Sequence, residues 1–242
     1  TKIKYFLPKF SENYIKANYE NLKKTTNTSN NLVDKILNAT QEFLSEEFLL
    51  IISNVDLTND NTLLGIEKII EGYSVKNSEN SEGSTVPFMI VFIGNFVPDT
   101  SFTSFKKLGN SFEKLTKIIS NNQAIMKNTY LVFIPGPEDF SLFSGFPKYP
   151  FSENLISILK KKLPNVIAAT NPCRFSIFGK EFVFFRDNLN KNLSRNSIIK
   201  STPENNKDYF VHTIVCQGNL SPLDLNSSAK IWHLAHCLNI TP

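Results

Sequence analysis

Three apolar runs set the rhythm of the chain. FLLIISNVDL (48–57), PFMIVFIGN (87–95) and TYLVFIPG (129–136) are nearly continuous in Leu, Ile, Val and Phe, and each stops at a polar or glycine-containing turn. Runs of this length without polar alternation predict strands buried on both faces, as in a parallel sheet. Between them the spacing turns helical. DNTLLGIEKIIEGY (60–73) places Leu63, Ile66, Ile69 and Ile70 on one side, and SFEKLTKIIS (111–120) does the same with Phe112, Leu115, Ile118 and Ile119. FSENLISILKKKL (151–163) predicts a helix with Ser152 as N-cap and Glu153 in the first turn. LVDKILNATQEFL (32–44) has roughly helical spacing at Leu32, Ile36, Leu37, Phe43 and Leu44. Farther along, VIAA (166–169) reads as a short strand and CRFSIFGKEFVFFRD (173–187) as a β-hairpin turning at Phe178, Gly179 and Lys180. NKDYFVHTIVCQG (206–218) reads as a helix ending at Gly218. Strands alternating with helices, then a hairpin, predict a layered α/β domain.

Composition is consistent with a packed domain of that kind. Apolar residues make up 41% of 242, enough for a sizeable core and too many for general disorder. Asparagine is over-used, at 29 residues, and clusters in TTNTSNN (25–31) and NSENSEGS (77–84), which read as polar insertions. The bias lowers the weight of any single Asn. The formal charge of +4 is small, and Lys160, Lys161 and Lys162 form the densest basic run, read as a solvated helix face before a phosphate-binding patch. Cys173, Cys216 and Cys237 lie far apart, which argues for a reducing compartment and against a disulfide framework. No apolar run reaches the ~18 residues that span a membrane, and the expectation is an intracellular protein without membrane contact.

Candidate chemistry gathers at the ends of the predicted strands. In open α/β sheets, ligands bind outside the carboxyl ends of the strands. The tips are Ser53-Asn54-Val55-Asp56, Gly94-Asn95, Gly136-Pro137-Glu138-Asp139 and the later turn Gln217-Gly218-Asn219. Singly, these are ordinary turn residues. In this order they resemble the calcineurin-like metallophosphoesterases, whose active members carry Asp-x-His, Gly-Asp, Gly-Asn-His-Asp/Glu and later histidines around two metal ions. Carried over by position, the resemblance implies degenerate metal-site positions at Asn54, Asp56, Asn95, Pro137, Glu138 and Asn219, with no catalytic residue, metal or cofactor. A neutral carboxamide at Asn95 cannot balance two cations as a bridging carboxylate does.

A narrower resemblance follows from VFIPGPEDF (132–140), TNPCRFSIFGKEFVFFRDNLNKNLSRNSII (170–199) and FVHTIVCQGNLSPL (210–223), with FLLIISNVDL, IIEGYS and IVFIGNF in order before them. These stretches resemble the B subunits of DNA polymerase epsilon, within the alpha/delta/epsilon B-subunit family of inactivated calcineurin-like folds. The likeness covers about residues 45–242 and departs at Asn219, where the related sequences usually have His. It implies an inactive phosphoesterase-type α/β sandwich over 45–242 continuing into further strands beyond Pro242, with 1–44 as a lead-in from an oligonucleotide-binding-type domain or linker. It also implies a nuclear, non-catalytic scaffold that docks the zinc-binding C-terminal region of a polymerase catalytic subunit and links it to the replicative helicase.

Other readings compete at single sites. An active metal-dependent phosphoesterase is the alternative to the scaffold. Direct DNA binding ranks lower, because the small charge surplus promises weak, salt-sensitive affinity. His233, His236 and Cys237 have zinc-like helical spacing, with Cys173, Cys216 and His212 as candidate fourth ligands, against a simple amphipathic stretch. Cys173 could serve as a nucleophile but reads first as a small buried residue at a strand start. Arg174 is expected to pair with Asp139 or Glu138. The hairpin 174–186, with Phe175, Ile177, Phe178, Phe182, Val183, Phe184 and Phe185, is a candidate contact surface unless both its faces are covered within the chain.

Overall fold

The computed structural model describes residues 4–6, 48–75, 86–98, 101, 103–141, 145–177, 180–196, 206–218 and 220. The helix expected at 32–44, the Asn-rich stretches, the hairpin turn at Phe178 and Gly179, Asn219, and His233, His236 and Cys237 lie outside them.

The first described element is β1 (Lys4–Phe6). The three apolar runs then form β2 (Leu49–Ser53), β3 (Met89–Ile93) and β4 (Tyr130–Ile134), joined by β5 (Val166–Ala168). They make one parallel four-stranded sheet in the order β2-β3-β4-β5. Between the strands run α1 (Asp60–Val75), α2 (Ser104–Ser120), α3 (Gln123–Asn128) and α4 (Glu153–Lys160). β6 (Cys173–Ile177) and β7 (Lys180–Phe184) form the expected hairpin, and β1 pairs parallel with β6 to give a second, three-stranded sheet. α5 (Leu189–Asn196) and α6 (Asn206–Gln217) follow, and Gly218 closes α6 at φ 59°, a left-handed conformation suited to glycine.

Alternation along the central strands assigns each face its own core. Ile90, Phe92, Leu131 and Phe133 point to the helices and pack with Leu63 and Ile66 of α1, Phe112 and Leu115 of α2, and Leu155 and Leu159 of α4. Met89, Val91, Ile93, Val132 and Ile134 point the other way and pack against Cys173, Phe175, Ile177 and Phe184 of the hairpin. Helices, parallel sheet and hairpin sheet are therefore three successive layers. β3 is buried at all five residues, as strands covered on both faces must be.

Several expectations are adjusted by this packing. Ile69 is 39% exposed, because α1 buries Leu63, Ile66 and Ile70 and turns Ile69 off that face. Ser152 occupies the N-cap of α4 but its hydroxyl makes no capping bond; its carbonyl accepts from Leu155 and Ile156 instead. The hairpin's apolar side chains are largely used inside: Phe175, Ile177 and Phe184 are buried, and Phe182 packs against the same cluster. Val183 and Phe185 are half-buried, and the Phe185 ring meets Phe146. Cys173 is buried in the core, and Lys160, Lys161 and Lys162 are exposed. Among the described residues no helix is long and apolar enough to cross a membrane.

An aromatic cluster joins helix layer to sheet. The Phe112 ring lies 5.6 Å from Phe133, 5.6 Å from Phe151 and 6.0 Å from Phe96. Removing it leaves a cavity bounded by three rings that cannot all collapse. Phe112→Ala is expected to cost about 3–5 kcal/mol in urea unfolding, whereas Ile51→Ala, at a half-exposed position on β2, should cost less than about 1 kcal/mol; comparable losses would contradict this layering.

Candidate functional site

The register of the parallel sheet brings the tips together. Ser53 pairs with Ile93 and Ile93 with Ile134, so β2, β3 and β4 end level. The residues that follow, Asn54, Gly94-Asn95 and Pro135-Gly136, leave the sheet side by side. Asn54 takes φ 60°, the left-handed region that Asn tolerates better than most residues. Gly94 and Gly136 approach until their backbones touch. A Cβ on Gly94 would collide with the Asp139 carboxylate and stand 2.8 Å from the Gly136 nitrogen, and a Cβ on Gly136 would collide with the Asn95 carboxamide. Glycine is required at both positions by this contact.

Beneath the tips lies a buried polar layer. Asp139, 2% exposed, accepts at Oδ1 from the backbone N–H of Phe96 (2.7 Å) and Val97 (3.0 Å), and at Oδ2 from that of Gly136 (2.8 Å). Burial pushes its carboxyl up to about 6, against the pull of the three amides and the Lys148 ammonium. Lys148 is 3% exposed; its pKa is lowered by burial and partly restored by Asp139. Asn171 is fully buried. Its Nδ2 donates to the carbonyls of Pro135 (2.8 Å) and Arg186 (2.7 Å), its Oδ1 accepts from Arg186 N (3.0 Å), and its backbone exchanges two hydrogen bonds with Lys148. One residue thus ties the exit of β4 and the exit of β7 with its carboxamide and the Lys148 loop with its backbone.

Above it lies a second polar layer, nearer solvent. Glu138 N donates to Asn95 Oδ1 (3.0 Å) while Asn95 Nδ2 donates to Glu138 Oε2 (3.1 Å). Asn188 Nδ2 donates to Glu138 Oε1 (3.1 Å). Arg186 Nη1 donates to the Asp187 carbonyl (2.7 Å) and to Asn188 Oδ1 (3.4 Å), and Nη2 reaches Asn54 Oδ1 (3.3 Å). Asp56 stands apart: its Oδ1 accepts from Thr58 N (2.9 Å) and Thr58 Oγ1 (2.6 Å), closing the turn into α1. Pro137 is half-buried and has no polar side-chain group.

The structure therefore unites Asn54, Asn95, Pro137 and Glu138 at one sheet edge, with Asp56 held in its own turn. The pairing expected for Arg174 is corrected. Its Nη1 bonds Glu181 Oε1 at 2.9 Å across the hairpin, because Cys173 and Phe175 face the core and alternation turns Arg174 outward. Asp139 has its oxygens directed at backbone amides instead. Lys148, Asn171, Arg186 and Asn188 carry no sequence signal of their own. Asn171, Arg186 and Asn188 lie in the NPCR and FRDN stretches, and their buried or bridging roles depend on partners 15–132 residues away.

The family of DNA polymerase alpha/epsilon B subunits matches residues 49–238, which include the whole tip cluster. The chain belongs to that family. It is 31% identical over 214 residues to the B subunit of DNA polymerase epsilon from Arabidopsis thaliana, covering 86% of this chain and 39% of that protein. It is 28% identical to the corresponding B subunit from Schizosaccharomyces pombe, covering 84% of this chain and 36% of the relative. Against DNA polymerase epsilon subunit 2 of Homo sapiens the identity is 30%, covering 64% of this chain and 30% of the relative. The chain thus spans less than two fifths of these relatives' lengths.

Within this member of the family, Asp139 has a testable signature. Asp139→Asn replaces one acceptor oxygen by an NH2 that must face a buried N–H, and is expected to cost about 1–3 kcal/mol at pH 7. The unaltered carboxyl also imposes a pH dependence. Its folded pKa is raised from 3.8 to about 6, so its contribution is full below about 4 and lost as pH rises through 6, by about 3 kcal/mol in all. Urea unfolding between pH 4 and 7 should show that decline in the parent protein and lack it in Asp139→Asn; identical pH profiles would contradict it.

Proposed function

We propose that this chain is the core of a non-catalytic accessory subunit of DNA polymerase epsilon, built on an inactivated calcineurin-like phosphoesterase fold. It works as a rigid nuclear scaffold that docks the zinc-binding C-terminal region of the catalytic subunit and links it to helicase components. The family match and the relatives' names support the polymerase assignment. Inactivity is supported by one observation: the oxygens at the tips are committed to protein donors.

A two-metal phosphoesterase centre needs carboxylates and imidazoles free to converge on the cations. The residues present do not fit it. Asn95, at the bridging position, uses both ends of its carboxamide on Glu138. Both Glu138 oxygens accept from carboxamides, both Asp139 oxygens accept from backbone amides, and Asn54 Oδ1 accepts from a guanidinium. Among the described residues no three His, Cys, Asp or Glu side chains are grouped to hold a metal. Carboxamides, and carboxylate oxygens already bonded to protein donors, are poorly suited to offset the cost of stripping water from two divalent ions.

The purified protein is expected to hydrolyse no chromogenic phosphodiester with Mn²⁺ present, and a polymerase catalytic subunit should co-purify with it from cells. Turnover above background that disappears in Glu138→Ala would restore the active-phosphoesterase reading; copurification without any polymerase subunit would remove the scaffold role.

A further inference from the structure

Among the described residues, one guanidinium ties the β2 tip to the surface layer at the other strand ends. Arg186 leaves the end of β7 and crosses the mouth of the cluster to Asn54, 132 residues earlier, at the tip of β2. Its other guanidinium nitrogen bonds the Asp187 carbonyl and Asn188 Oδ1, and Asn188 continues to Glu138 and through it to Asn95. The described acceptors of Arg186 are neutral oxygens: two carboxamides and one carbonyl. A guanidinium offers five N–H groups in a fixed planar fork and stays charged at any physiological pH. It can therefore gather several oxygens without needing deprotonated ligands.

From this geometry we infer that Arg186 is an internal cationic cross-link that occupies the role of metal ions, fastening the β2 tip to the β4 and β7 tips. The inference rests on the proposed descent of the cluster from a two-metal centre. In such a centre, carboxylates on separate strand ends repel one another until cations join them. Here the oxygens bonded by Arg186 are two carboxamides and one backbone carbonyl, all neutral, which one positive charge can bridge without residual repulsion. Asn54 and Arg186 are then coupled replacements: the neutral side chain at position 54 suits a single fixed charge.

The coupling makes a prediction that simple packing does not. Asn54→Asp keeps a side chain that tolerates the left-handed backbone and places a carboxylate beside the guanidinium. The amides of Val55 and Leu57, which bond Ile93 and Phe96 across the tips, report the fastening. In native-state hydrogen exchange on the full chain, Asn54→Asp should slow them about tenfold, and 0.5 M NaCl should reduce the effect. Arg186→Gln should speed them, and adding Asn54→Asp to Arg186→Gln should slow nothing. Amides of α4 act as the reference and should not change. Equal slowing with and without Arg186, or no effect of Asn54→Asp in the parent chain, would overturn the cross-link. Mn²⁺ added to the parent chain tests the underlying reading separately: protection of these amides by the ion would refute the inactive centre, whereas failure of the Arg186 coupling alone would leave it standing.

Discussion

The near-contact of Gly94 with Gly136, capped by the Asp139 carboxylate, is the constraint on which the rest of the tip region depends. Two parallel strands ending in register deliver their backbones to the same place. Their N–H groups need acceptors there, and the sheet has none left to give. Asp139 accepts three of them at 2.7–3.0 Å. Because that carboxylate is directed inward, its neighbour Glu138 turns outward and meets Asn95. The loop has a strand–glycine–acid form, and its buried acid serves as an acceptor for backbone amides.

A chain of consequences leads from that contact to the surface. Burial of Asp139 requires a counter-charge, and Lys148 comes in from the loop before α4. The Lys148 backbone is fixed by Asn171, which also fixes Arg186 N and O. Arg186 in turn reaches Asn54. Core, buried polar layer and exposed network are thus consecutive links, and a change in the deepest one propagates outward. Partly satisfied buried networks are costly, so these linked bonds favour a single, stiff arrangement of the strand ends. Such stiffness suits a subunit whose proposed task is to hold partners.

Much of this can be read from the sequence. Continuous apolar runs give away the parallel strands, because both faces are buried and no polar alternation survives. The four-residue tips at 53–56 and 136–139 are recognisable as strand ends for the same reason. What stays hidden depends on pairing across long separations. Asn171 looks like any other Asn in a chain with 29 of them, and only its burial shows that it bonds Pro135 and Arg186. Arg174 draws attention by lying beside Cys173, yet strand alternation turns it to Glu181, while Arg186, just beyond the end of the partner strand β7, takes the position at the tips. Local pattern locates elements; which of two arginines faces the cluster is decided by strand phase and by the length of β7.

Paramagnetic broadening by Mn²⁺ reads out whether the oxygens of the strand tips are already committed to protein donors. In a titration of isotope-labelled protein, that commitment should leave the amide signals of Asn54, Asn95 and Glu138 no broader than those of exposed acidic residues elsewhere, such as Glu153. Selective, saturable loss of those three signals at about stoichiometric Mn²⁺ would mean that a metal can claim the tip oxygens, and would contradict it.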